Sequence, residues 1–179
     1  MGWHSRGYLP HFDAPEAVQS ITFRLADSLP ASVAAALAVD AGRRQRLDQL
    51  LDRSLGRCCL WREDCAMLVE NALLHFDDDR YKLLAWCVMP NHVHVLVECD
   101  ARHSLSNVVQ SWKSFTAKAI NAALRRTGRL WAPDYFDRYV RDNAHFAAIV
   151  SYIESNPVKA QLVDQAQDWR WSSAYTARR

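Results

Sequence analysis

Between residues 81 and 98 the chain reads YKLLAWCVMPNHVHVLVE, two apolar runs joined by Met-Pro-Asn. The first run is nearly continuously apolar, as a central strand is, and the second alternates. Joined by so short a turn, the two are antiparallel partners, and the rest of the chain has to build an antiparallel sheet around them. Alternation puts His92 and His94 on one face of the second strand and Val93, Val95 and Val97 on the other. The valine face can sit on a core. The imidazole face, carried on rigid backbone, is spaced to grip one metal ion or one phosphate; two hydrogen-bonded histidines in a half-buried face is the plainer alternative.

VQSITFRL (18–25) alternates and is rich in β-branched and aromatic residues, which predicts a first strand. Pro30 opens a helical region in which ASVAAALAV, then RRQRLDQLLDRSL with Leu47, Leu50, Leu51 and Leu55 on one side, are broken by Gly42 and Gly56. A third helix follows with Ala66, Val69, Leu73 and Phe76 inward. After the hairpin, Ser104 can cap a helix running to about Arg126, marked by Leu105, Val108, Val109, Trp112, Thr116 and Ile120. A fourth strand is expected around 135–140, then a short helix with Phe146, Ile149, Val150 and Ile153 inward that Pro157 helps to stop. DWRWSSAY at the end is expected to pack down as an extended cover. The order β, helices, β, β, helix, β, helix predicts an α+β, ferredoxin-like (RRM-like) antiparallel sheet with helices on one face, formed as a single domain over 1–179 and enlarged by the helical region 31–76.

Half of the 179 residues are apolar and 23% are charged, enough apolar content for a sizeable core. No apolar run approaches a membrane span and the N-terminal stretch lacks the apolar core of a signal peptide, so a cytoplasmic protein is expected. The five cysteines show no CxxC spacing and no disulfide framework. Net charge is only +2, yet residues 102–141 hold eight basic residues against two acidic ones. Lys113, Lys118 and Arg125 recur on the outer side of the helix after the histidine strand, either as a solvated face or as a stripe for backbone phosphates. Near the N-terminus Trp3 and Tyr8 lie among His4, Arg6 and His11, where they can stack on unpaired bases or fold onto the core.

On the last helix Tyr152 and Asn156 are four residues apart, so both lie on one side, one turn apart. Each has an ordinary explanation alone, a surface tyrosine and an Asn before Pro. If that helix packs across the sheet edge, a hydroxyl and an amide converge on the imidazole face.

MPNHVHVLVE resembles the His-hydrophobic-His metal motif of the HUH endonucleases, and YIESNPVKAQLV resembles the tyrosine helix of the REP-associated tyrosine transposases, single-domain relatives of the one-tyrosine insertion-sequence transposases. WHSRGYLPHFD with QSITFRL, QSWKSFTAKAIN and DWRWSSAY resemble further stretches of that family, in its order and over nearly the whole chain. The resemblance implies that His92 and His94 bind a metal, that Tyr152 is the nucleophile, and that Asn156 is the polar third ligand, a place held by Gln in insertion-sequence relatives. It implies a metal-dependent enzyme that cleaves and rejoins single-stranded or hairpin DNA through a 5′-phosphotyrosine, as a monomer or homodimer. Two imidazoles and an amide suit Mn²⁺ better than Mg²⁺, and either is expected because the family works with both. The alternatives are a histidine phosphoesterase with two HxT/S repeats, against which stands a single HxH with no second, and a domesticated hairpin-DNA-binding protein that no longer cuts.

Overall fold

The computed structural model describes residues 2–5, 10–13, 17–30, 32–33 and 43–176. In chain order the elements are β1 (Gly2–Ser5), β2 (Pro10–Asp13), β3 (Val18–Arg24), α1 (Arg43–Leu51), α2 (Glu63–Leu74), β4 (Tyr81–Val88), β5 (His92–Cys99), α3 (Leu105–Ala123), β6 (Phe136–Tyr139) and α4 (Asn143–Lys159). Strands β3 to β6 form a four-stranded antiparallel sheet in the order β4-β5-β3-β6, which puts the first and third of them at the centre. This is the expected α+β, ferredoxin-like arrangement. Strands β1 and β2 pair as a separate antiparallel ribbon, with Trp3 opposite Phe12 and His4 opposite His11. Most of the helix expected from ASVAAALAV lies outside the described residues.

One face of the sheet presents Ile21, Phe23, Val93, Val95 and Val97 to Cys65, Val69 and Leu73 of α2 and to Val108, Val109, Trp112 and Ile120 of α3. Tyr81 ties these layers together: it accepts a hydrogen bond from Trp112 Nε1 at 2.9 Å and donates one to the Leu73 carbonyl at 2.7 Å. A bulge between Leu83 and Ala85 shifts β4 by one residue, after which Ala85 and Cys87 share the other face with Leu96 and the histidines. Those small side chains let Ile149 and Ile153 of α4 pack closely there. The helix after the last strand therefore lies on the opposite side of the sheet from α2 and α3, a placement the one-sided arrangement did not include.

The caps follow from local chemistry. The Ser104 hydroxyl accepts from the Asn107 amide at the start of α3, as expected, and Asp142 does the same for His145 at the start of α4. Two ends differ from expectation. Helix α3 stops at Ala123, leaving Arg125 beyond it with left-handed backbone (φ 49°). Helix α4 runs through Pro157 to Lys159, because the amides of Ala160 and Leu162 bond the carbonyls of Asn156 and Pro157 and carry the last turn past the missing proline N–H. The tail does cover the sheet: the Val88 amide bonds the Trp171 carbonyl at 2.8 Å, Ser172 bridges to Cys87, and Trp169 Nε1 donates to the Val88 carbonyl at 3.0 Å. The Trp86–Val88 end of edge strand β4 is thereby covered. None of the described helices is long and apolar enough to cross a membrane.

Candidate active site

Alternation along β5 buries both histidines on the α4 face, each 1% exposed. Their rings stand nearly perpendicular, with His92 Nε2 and His94 Nε2 facing each other at 2.9 Å. Two nitrogens at the usual metal–imidazole distance from one ion, at a right angle, would be about 3 Å apart. The pair fits a shared ion.

Residues behind the rings decide which nitrogen is free to bind. His92 Nδ1 lies 2.7 Å from Asn91 Oδ1, while Asn91 Nδ2 donates to the carbonyls of Leu51 and Leu55 at 3.2 and 3.1 Å. With its nitrogen committed to two carbonyls, this amide offers the imidazole only its oxygen. Nδ1 of His92 therefore carries the proton and Nε2 keeps its lone pair. His94 Nδ1 meets Thr22 Oγ1 at 2.9 Å across the β3–β5 register. A hydroxyl there can accept from Nδ1, leaving the second Nε2 lone pair for the same ion. Burial pushes the pKa of His92 down to about 3, so its imidazole is neutral at physiological pH.

Asn91 and Thr22 were not among the residues singled out from sequence, although Asn91 sits inside the MPN turn. Asn91→Ala is expected to weaken Mn²⁺ binding about 10- to 100-fold in a calorimetric titration. Unchanged affinity would mean that the strand alone orients His92.

Helix α4 brings Tyr152 and Asn156 to the same side of the sheet as the histidines. The Tyr152 ring meets His94 edge to face at 5.5 Å between centroids, and Lys159 Nζ stands 4.4 Å above the tyrosine ring. Asn156 is 1% exposed; its Nδ2 donates to the Tyr152 carbonyl at 2.7 Å, and its Oδ1 is buried with no hydrogen-bond partner among the described residues. A buried acceptor left over in this way suits a cation. Among the described residues no group of three or more His, Cys, Asp and Glu side chains is placed to hold a metal. The donors on this side of the sheet that could hold one are the two imidazole nitrogens and the Asn156 amide oxygen.

The basic residues expected to line a DNA path do not gather here. Helix α3 packs on the far face of the sheet, so Lys118, exposed on it, and Arg125, exposed just beyond it, are separated from the histidines by the sheet itself. Lys113 is a correction: it is only 9% exposed, and its amine donates to the carbonyls of Ala132 and Pro133 at 2.8 and 2.7 Å. Next to the buried Trp112, its stem follows the core and its head reaches a loop rather than solvent. Burial pushes its pKa down to about 8. Trp3 lies in β1, and Arg6 and Tyr8 lie outside the described residues.

Residues 61–156 match the family described as "Transposase IS200 like". A REP-associated tyrosine transposase of Escherichia coli (strain K12) is 27% identical over 110 residues, covering 59% of this chain. A relative from Haemophilus influenzae is 26% identical over 104 residues, covering 52% of the chain. The chain spans 62% and 58% of the length of these two curated relatives. A solved REP-associated tyrosine transposase, described as bound to a REP hairpin, shares the fold with a TM-score of 0.61 at 18% identity, over 94% of this chain and 81% of that one.

Proposed function

Because this chain belongs to the IS200-like transposase family, and within it to the REP-associated tyrosine transposases, we propose that it cleaves and rejoins single-stranded DNA at hairpin sequences through a covalent link to Tyr152. The observation that carries this reading is the meeting of Tyr152 with the histidine pair, its ring 5.5 Å from that of His94. Hairpin DNA is the proposed partner because the solved protein that shares this fold is described bound to a REP hairpin.

In the proposed reaction the Tyr152 oxygen forms a bond to phosphorus and the bond from phosphorus to the 3′ oxygen breaks. The phenol gives up its proton and the departing 3′ oxygen takes one. The products are a 5′-phosphotyrosine and a free 3′ hydroxyl, and attack by a 3′ hydroxyl on the same phosphorus reverses the step at a new junction. No nucleotide cofactor is consumed, because the phosphotyrosine keeps the energy of the phosphodiester. A phenol titrates near about 10, so it needs help at neutral pH. The Lys159 ammonium over the ring supplies positive charge beside the developing phenoxide. Mn²⁺ or Mg²⁺, held by His92, His94 and Asn156, would supply the Lewis acidity that draws charge from the phosphate oxygens. Asn91 and Thr22 hold the two imidazoles in place for that ion.

The test uses hairpin oligonucleotides drawn from palindromes beside the encoding gene. With Mn²⁺ they are expected to be nicked, and with excess EDTA they should stay intact. Binding without nicking in Mn²⁺ would favour the DNA-binding protein that no longer cuts.

A further inference from the structure

Arg24 ends strand β3 directly opposite His92. Its chain neighbours, Phe23 in the strand and Leu25 just past it, point into the core shared with α2 and α3, so Arg24 and Thr22 point to the other face, where Thr22 already touches His94. Facing residues of adjacent antiparallel strands have their Cβ atoms about 5 Å apart, which sets the arginine beside the histidine pair. Its guanidinium is half-buried, and among the described residues only Nη1 is engaged, by the neutral Leu25 carbonyl at 3.3 Å and the Ser28 hydroxyl at 3.2 Å. Among the described residues it forms no ion pair.

The charge around it is unbalanced in the same sense. Burial opposes the arginine's charge and the Asp134 carboxylate supports it, but that carboxylate also serves the Lys113 amine, which is itself repelled by Arg24 and Arg129. Arg24 and Lys113 thus draw on one carboxylate, and Arg129 adds a further positive charge beside the amine. A planar guanidinium with free N–H groups and incomplete charge compensation suits an oxyanion, and a phosphodiester in particular.

We propose that Arg24 binds a backbone phosphate of the DNA strand, next to the phosphate presented to His92 and His94. The inference rests on the single-strand DNA reading above. It adds a contact that fixes where along the strand cleavage falls, since a phosphate held by Arg24 sets which neighbouring phosphate meets Tyr152.

The test compares wild type with Arg24→Gln, whose amide can still donate to the Leu25 carbonyl and the Ser28 hydroxyl. The probes are fluorescein-labelled hairpin oligonucleotides carrying one neutral methylphosphonate at each successive position in the single-stranded arm. Arg24→Gln is expected to bind the unmodified hairpin about 10- to 100-fold more weakly, with the slope of log affinity against log salt reduced by about 0.7. One methylphosphonate position should weaken wild type and leave the variant unaffected, while Mn²⁺ affinity stays the same in both proteins. Arg24→Lys keeps the charge without the fork. It should hold the wild-type salt slope with reduced affinity, and it serves as the test if the Gln variant fails to fold. Variants that bind with wild-type affinity and slope, or a methylphosphonate profile identical in all proteins, would reduce Arg24 to a tether between β3 and Ser28. A wild type that binds none of the probes overturns the transposase reading and this inference with it; binding by wild type with unaltered variants overturns this inference alone.

Discussion

Replacing both His92 and His94 by alanine is expected to abolish Mn²⁺ binding and DNA nicking together while hairpin binding persists. Loss of residues that merely orient a ligand costs about 10- to 100-fold in metal affinity, so loss of two ligands should exceed that and take binding out of the calorimetric range. The change also leaves the Asn91 and Thr22 oxygens without their imidazole partners in a buried place, at about 1–3 kcal/mol each. Thermal unfolding of the double variant therefore has to be measured beside its activity. A folded double variant that still nicks DNA in Mn²⁺ would show that the histidine face is structural.

Tyr152→Phe should be as severe in chemistry and far milder in structure. The ring keeps its edge-to-face contact with His94 and stays under the Lys159 ammonium, so packing and Mn²⁺ affinity should match wild type. Only the phenol oxygen, the proposed nucleophile, is lost. Nicking is expected to fall by about 10³-fold or more, and the protein–DNA adduct seen on a denaturing gel should disappear. An adduct that survives in this variant would move the nucleophile elsewhere, with Tyr135 just before β6 and Tyr139 at its end as the next positions to substitute.

The reach of the sequence differed between elements for physical reasons. The hairpin, the shared face of His92 and His94, the Ser104 cap and the spacing of Tyr152 and Asn156 depend on local periodicity, and each is present. Three features depend on contacts distant in sequence and were not readable from periodicity. Asn91 owes its orientation to the carbonyls of Leu51, which ends α1, and Leu55 just beyond it, 40 and 36 residues away. That contact gives the enlargement, whose Leu47 and Leu51 pack against Leu29, a direct connection to the candidate site. The helix pattern assigns Lys113 to the outer side with Lys118 and Arg125, but its position beside Trp112 lets a flexible stem carry the amine to the carbonyls of Ala132 and Pro133. The β4 side chains that meet α4 are set by the bulge between Leu83 and Ala85, a single extra residue that leaves no mark in a nearly continuous apolar run.

Tyr152 as the nucleophile beside a paired-imidazole metal centre is tested most directly by locating the nucleotide on the protein. The chain would be incubated with a hairpin oligonucleotide and Mn²⁺, denatured, digested with nuclease and trypsin, and its peptides sequenced by tandem mass spectrometry. The expected result is a 5′-phosphonucleotide on Tyr152, formed in Mn²⁺ and missing in EDTA. A nucleotide on any other residue, or no adduct while wild type nicks the DNA, would contradict the account.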